Sequence, residues 1–313
     1  MSAKKSLKSL LEEGKQIFAP CVYNCLSARA AEVCGYEAMT LSSCEMIYAM
    51  SGVPDGVMNY EELFYGASRI AQYSKLPLIV DAENAGGTPL NVYRNCKRLA
   101  EAGCMGITIE DTTNFFFAGY HYGEGGAFMD ADLWAANIYA AVDAVKGTDC
   151  IIIARTDCKG TTNPEMQHEG KDYSLGLEEA IRRANMGIEA GAHMTMVQNI
   201  DEPDCGASAR KVAKRVPGWK FYPDIKAKNG VPDISFKELE EMGYNIISCH
   251  QFMKGATKGM LEYGYANIKN KNTVYTENDE FYCLGHIFHP FIFQDWIDKN
   301  QMYNDYLKKL RKK

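Results

Sequence analysis

Three stretches of this chain end an apolar run on charge, and that repetition limits what the chain can fold into. Pro77–Gly87 reads P-L-I-V-D-A-E-N-A-G-G, so Leu78, Ile79 and Val80 give way to Asp81 and Glu83 before a glycine turn. Gly106–Asp111 reads G-I-T-I-E-D and stops on two carboxylates, and Ile151–Asp157 reads I-I-I-A-R-T-D and stops on a cation and an acid. Short continuous apolar runs are how strands covered on both faces of a parallel sheet read. Unpaired charge cannot stay inside such a sheet, so it emerges at a rim. Three strands in succession that stop this way imply one shared polar site at their carboxyl ends.

The rest of the chain repeats the same unit. Ile17–Tyr23, Ala38–Leu41, Leu78–Asp81, Gly106–Glu110, Ile151–Ala154, His193–Gln198, Lys220–Pro223 and Tyr244–Ser248 read as strands. Between and around them, Leu7–Glu13, Leu26–Val33, Tyr60–Tyr73, Leu90–Ala102, Asp132–Val145, Leu177–Ala190, Ser208–Val216, Phe236–Met242 and a segment from His250 to near Ile268 read as helices. Ser51–Met58, with Gly52, Pro54 and Gly56, reads as a loop, and Cys158–Tyr173 as a polar one. Eight strands alternating with helices every ~25–35 residues predict a (β/α)8 barrel of the TIM type over residues 1–270. The competing open, doubly wound sheet lacks a G-x-G-x-x-G after its first strand. Residues 271–313 carry Phe288, Phe291, Phe293, Trp296, Tyr303 and Tyr306 in helical sequence, which predicts an extension that packs on another subunit of a homo-oligomer.

Composition excludes several classes. A formal net charge of -6 argues against a nucleic-acid partner. No apolar run approaches the roughly 20 residues of a membrane span. The start, Met1-Ser-Ala-Lys-Lys, lacks the apolar core of a secretory signal. The 11 cysteines include no C-x-x-C pair, which suits neither a disulfide framework nor a zinc cluster. Cys21, Cys34, Cys104, Cys150 and Cys249 sit in or beside apolar segments and read as reduced core thiols, so a cytoplasmic protein is expected.

In a barrel, residues just past the strand ends converge on one mouth. That gathers Ser42, Ser43, Asp81, Glu83, Thr108, Glu110, Arg155, Gln198, Asp224 and Ser248. A single D-x-E after a strand is more often a turn or a helix cap than a metal site. Three carboxylates together, Asp81, Glu83 and Glu110, repel one another unless a cation neutralises them. Oxygen-only ligands suit Mg²⁺ or Mn²⁺ better than zinc. Arg155 offers a planar fork to a substrate carboxylate or phosphonate, or pairs with Asp157. A divalent ion beside an arginine can hold a 2-oxo acid and stabilise its enolate.

The blocks V-D-A-E-N-A-G-G, G-I-T-I-E-D and I-I-A-R-T-D, with L-S-S-C at 41–44 and G-V-P-D at 52–55, resemble the isocitrate lyase/phosphoenolpyruvate mutase superfamily over residues 17–268. The resemblance implies a (β/α)8 barrel, a bound Mg²⁺, enolates of pyruvate-like acids, and a dimer of dimers with swapped C-terminal helices. It assigns Asp81 and Glu110 to the metal shell, with Glu83 standing where aspartate is general. It assigns Arg155 to the substrate, and the Ser42-Ser43-Cys44 segment to the substrate carboxylate. Gln198 and Asp224 fall on substrate-binding positions, and Asp55 on a loop aspartate beside the substrate.

The departures are informative. Thr108 replaces a common histidine, Gln198 a glutamate and Asp224 an asparagine. Lyases of this kind carry K-[KR]-C-G-H after the fourth strand, with cysteine as catalytic acid; here Phe116-Phe117-Ala118-Gly119-Tyr120-His121 stands instead. The lysine and Asn-Ser pair of the phosphonate branch are absent too. The glycine-rich segment 112–128 reads either as a lid on which Tyr120 or His121 supplies the proton, or as an aromatic subunit contact. His168, His250, His286 and His289 read as structural or surface residues. The expectation is a Mg²⁺-dependent lyase that cleaves or decarboxylates a small 2-hydroxy or 2-oxo carboxylic acid. Carbon–phosphorus chemistry, or a non-catalytic 2-oxo acid-binding protein, are the alternatives.

Overall fold

The computed structural model describes residues 6–53, 57–113, 127–160, 174–200, 206–226, 233–272 and 294–311, with the backbone alone at 116–117, 120–121, 227–228 and 231–232. The chain divides into two compact units, Met1–Met253 and Lys254–Lys313.

The first unit is a closed barrel of eight parallel strands. In chain order they are β1 (Ile17–Val22), β2 (Met39–Leu41), β3 (Leu78–Asp81), β4 (Gly106–Ile109), β5 (Ile151–Thr156), β6 (Met194–Val197), β7 (Trp219–Tyr222) and β8 (Ile246–Cys249). β1 lies between β2 and β8, with Cys21 opposite Thr40 and Ile17 opposite Ile246, and this seam closes the cylinder. Side chains that point outward from the strands pack under the helices in two apolar clusters. One gathers Met39, Leu41, Leu63, Leu99, Trp134 and Ile152; the other gathers Ile181, Val197, Val212, Tyr222, Leu239 and Tyr244. Asn59 with Glu62, and Ser235 with Glu238, form reciprocal caps that start the helices Tyr60–Tyr73 and Phe236–Glu241.

The barrel floor is apolar. The helix Leu7–Glu12, capped by Ser6, inserts Leu7, Leu10 and Leu11 among Ile17, Ile79, Ile151, Phe221 and Ile246. Gly106 makes this fit possible. A Cβ there would lie 3.0 Å from Ile79 Cγ1 and 3.1 Å from Leu7 Cδ2. Charge is thereby confined to the opposite end of the strands.

Three local expectations change. Ser43–Ser51, not anticipated as a helix, is one: Ser42 Oγ accepts from Glu45 N at 3.2 Å and caps it. β5 runs on through Thr156, because the carboxylate of Asp111 bonds the Thr156 hydroxyl and the Asp157 amide and holds that end in register. Of the cysteines expected in the core, Cys34 is exposed, since it ends its helix beside Gly35. In the second unit, the end of the helix Phe252–Asn270 exposes Met260, Leu261, Tyr265 and Ile268, and the helix Gln294–Leu310 exposes Trp296, Tyr303, Tyr306 and Leu310. Among the described residues no helix is long and apolar enough to cross a membrane.

Leu7→Ala should lower stability by about 2–5 kcal/mol, the range for a buried leucine whose cavity cannot collapse. Chemical denaturation of the two proteins measures the difference.

Candidate active site at the barrel mouth

β3, β4 and β5 end side by side, and their tips are tied together by one guanidinium. Arg155 Nη1 lies 2.8 Å from Asp81 Oδ2 and 2.6 Å from Glu110 Oε1. Its other edge is spent on Asp157, with Nε 2.8 Å from Oδ1 and Nη2 2.9 Å from Oδ2. The fork is therefore fixed by a neighbour two residues on, and Nη1 alone is shared with the other carboxylates. Burial works against a charged guanidinium, but Asp157, Asp81 and Glu110 outweigh it and hold Arg155 protonated.

Asp81 also accepts from Thr108 Oγ1 at 3.1 Å and from Ser43 Oγ at 3.3 Å. Thr108 thus orients the Asp81 carboxylate from the next strand, and Ser43 does so from the helix after β2. Beyond Asp81 the chain reverses through left-handed backbone at Glu83 (φ 51) and Ala85 (φ 49), which costs a residue with a Cβ roughly 1–2 kcal/mol. The turn is held by Glu110 N donating to Glu83 O at 2.8 Å and by Asn84 Nδ2 donating to Thr112 O at 3.2 Å. It folds Glu83 back toward Asp81 and Glu110. An oxygen of each of the three lies within 4.8 Å of the others, so the cluster could hold a metal ion.

The electrostatics agree with that capacity. Glu110 is buried, and Thr112 Oγ1 donates to its Oε2 at 3.0 Å. Burial pushes its carboxyl well above the usual range; Arg155 opposes this, while Asp157, Glu83 and Asp81 push it further. Negative charge is thus in excess over the guanidinium, and all the donors are hard oxygens. Such a set fits Mg²⁺ or Mn²⁺.

Asp111, next in the chain, turns instead to the end of β5 and to Arg183. It is fully buried and accepts from Thr156 Oγ1 at 2.6 Å, Asp157 N at 2.8 Å and Arg183 Nη1 at 3.2 Å. Its carboxyl is pushed up to about 6 by burial and then by Asp157, against the pull of Thr156, the Asp157 amide and Arg183. Arg183, on the helix Gly176–Glu189, also donates to Met129 O at 2.9 Å. Sequence reading had no place for this lock. The available signal was an arginine inside the apolar row Ala180, Ile181, Ala184.

A cavity of about 370 Å³, counting the space open to solvent, lies over these tips and is walled by Ser42, Asp81, Arg155, Gln198, Ser248 and His250 among others. Gln198 Oε1 and Thr40 Oγ1, both in that wall, are buried and have no hydrogen-bond partner among the described residues. The Ser248 hydroxyl donates to Pro223 O. Asp224 Oδ1 accepts from His250 N at 3.3 Å, and Cys44 is half-buried on the helix after Ser43. Asp55 and the side chains of Tyr120 and His121 lie outside the described residues; the backbone of Tyr120–His121 pairs antiparallel with Phe116–Phe117. His250, read from sequence as structural or surface, stands in the cavity wall with Nδ1 3.0 Å from Glu45 Oε1.

Removing Asp111 leaves buried Arg183 with Glu179, 3.0 Å away, as its remaining carboxylate partner, so Asp111→Ala should destabilise the fold by about 1–3 kcal/mol. Asp111→Asn, which keeps an acceptor, should cost less; denaturant midpoints of the three proteins rank them.

The barrel with an acidic cluster at its carboxyl-terminal mouth has counterparts among known proteins. A model of the phosphoenolpyruvate phosphomutase family matches residues 7–268. The chain therefore belongs to that family, and with it to the isocitrate lyase/phosphoenolpyruvate mutase superfamily of lyases and mutases. It is 29% identical to the petal death protein of Dianthus caryophyllus, over 98% of this chain and 91% of that one. It is 26% identical to 2,3-dimethylmalate lyase of Eubacterium barkeri, over 87% and 88% of the two chains. In fold it is similar to oxaloacetate acetylhydrolase, with a TM-score of 0.81, 23% identity and 97% of each chain covered.

Proposed function

We propose that this protein cleaves a carbon–carbon bond in a small 2-hydroxy or 2-oxo carboxylic acid, through a pyruvate-like enolate, with Mg²⁺ (or Mn²⁺) as cofactor. The main support is the convergence of Asp81, Glu83 and Glu110 within 4.8 Å beside a guanidinium that is already partly neutralised. In this reading Asp81, Glu83 and Glu110 hold the ion, directly or through water. An ion held by these carboxylates would supply Lewis-acid stabilisation of the negative charge that develops on the substrate's oxygens.

The chain's own residues do the rest. Arg155 and the Ser42-Ser43-Cys44 segment hold the carboxylate, since backbone donors at a helix start and a fixed guanidinium both favour an anion. Gln198 Oε1, buried and lacking a partner among the described residues, accepts a hydrogen bond from the substrate's hydroxyl. A site built this way rejects an analogue without that hydroxyl, because the acceptor would stay unpaired. Asp55 is assigned to the substrate's side and Asp224 to its binding. Relatives bearing the names 2,3-dimethylmalate lyase and 2-methylisocitrate lyase support a branched hydroxy acid as the substrate class.

Malate, citramalate, 2,3-dimethylmalate, 2-methylisocitrate and oxaloacetate should be incubated with the protein, with and without EDTA. At least one should be turned over, lose turnover with EDTA and regain it with added Mg²⁺. No metal-dependent turnover of any of them would sink the proposal, and ³¹P NMR showing conversion of phosphonopyruvate would replace it with carbon–phosphorus chemistry.

The C-terminal unit supports assembly into a homo-oligomer, proposed here as a dimer of dimers. Along Gln294–Leu310, Trp296, Tyr303, Tyr306 and Leu310 fall on one face at helical spacing and are all exposed. Exposed aromatic rows of this kind belong at interfaces. Sedimentation at micromolar concentration should show a species of four chains, and Trp296→Glu with Tyr303→Glu should shift it to smaller ones.

A further inference from the structure

Across the cavity from the carboxylate cluster, three side chains from distant parts of the chain form a line. Cys21 Sγ, at the end of β1, lies 3.6 Å from His250 Nε2, just after β8. His250 Nδ1 lies 3.0 Å from Glu45 Oε1, on the helix after β2. Cys21 and His250 both belong to the cavity wall together with Asp81 and Arg155. A thiol, an imidazole and a carboxylate in sequence are a proton-transfer unit when they face a reacting ligand.

The buried cysteines elsewhere show what a packing thiol is like. Burial alone pushes the Cys96 thiol up to about 12. Cys21 is raised by burial too, but His250 pulls it the other way through charge and hydrogen bonding. The charged groups that face His250 are all acidic or thiol: Cys21 from β1, Glu45 from the helix after β2, and Asp224 from the turn after β7, with Tyr23 beyond Glu45. Burial disfavours the imidazolium, and these neighbours outweigh it and raise His250 above its ordinary value. An imidazolium engages both of its N–H groups, one toward Glu45 and one toward sulfur, so the ring accepts nothing from the S–H of Cys21, which belongs to the cavity wall.

We propose that Cys21 is the proton donor of this site, with His250 as a positioning residue that stabilises its thiolate and Glu45 as the residue that orients the imidazole. The assignment rests on the lyase reading given above. When the carbon–carbon bond breaks, its electron pair stays on the α-carbon of the departing acid. A new C–H bond forms there with the Cys21 proton, the S–H bond breaks, and its electron pair remains on sulfur beside the imidazolium. The substrate's hydroxyl loses its proton to a carboxylate of the site as its carbon becomes a carbonyl. That proton passes to water, and water reprotonates the thiolate to restore the Cys21 thiol.

The test has two arms. In the first, iodoacetamide labelling of native protein is followed on the Cys21 peptide by mass spectrometry, and needs no substrate. His250→Gln should slow Cys21 labelling at pH 8 about tenfold, the worth of one pKa unit, and move its pH profile upward, while Cys96 is unaffected. Equal rates in the two proteins, or no labelling of Cys21 in the wild type, would overturn the proposal. In the second arm, Cys21→Ala should lower kcat on the best substrate of the panel by about 100-fold or more with little change in KM. Cys21→Ser, which keeps the size of the side chain, should retain the wild-type thermal midpoint and an intermediate kcat. Wild-type kcat in Cys21→Ala would rule out the donor role. If no panel substrate is turned over, the lyase reading falls, and the labelling arm still decides whether Cys21 and His250 act as a unit.

Discussion

The mouth of this barrel depends on one guanidinium with two occupied edges. Asp157 takes Nε and Nη2 of Arg155, and Asp81 and Glu110 divide Nη1 between them. Without that cation the tips of β3, β4 and β5 would present like charges to one another at close range. The support runs outward as well. Asp157 is fixed through its amide by Asp111, and Asp111 is paired with Arg183 on the surrounding helix. A chain of charged groups thus connects the outer layer to the cavity, with the Asp157 amide bridging its own carboxylate and that of Asp111. Buried ion pairs repay little of their desolvation in stability. A carboxylate-rich cluster kept at such cost makes sense as machinery rather than as glue.

Stability comes from the other end. Leu7, Leu10 and Leu11 fill the floor against strand residues that are all apolar, and Gly106 lets the helix approach. The two ends of the same strands carry opposite duties. Ile79 packs in the floor while Asp81, two residues on, faces the site. This division lets the loops at the mouth change without unpacking the core.

Much of this arrangement was legible in the sequence, because it follows from local alternation. Strands that stop on charge gave the barrel, and the D-A-E and I-E-D tips gave Asp81, Glu83 and Glu110. What was not legible depended on distance or on direction. His250 reads as an ordinary histidine because its partners Glu45 and Cys21 lie 205 and 229 residues away. Asp111 stood beside Glu110 in the same acidic pair, and only their distant partners, Arg155 for one and Arg183 for the other, tell the site residue from the structural one. Ser43–Ser51 escaped notice as a helix because the strand before it is three residues long and its cap, Ser42, looks like a strand end.

The Cys21–His250 contact crosses the seam where β1 meets β8, and that seam has a consequence for synthesis. β1 leaves the ribosome well before one of its neighbours, Ile246–Cys249, which is made more than two hundred residues later. Until then β1 presents an unpaired edge, and closure of so long a loop is slow. Cys21 meets its imidazole only when the cylinder shuts. A nascent or truncated chain therefore carries an ordinary thiol, and the paired one belongs to the completed barrel alone.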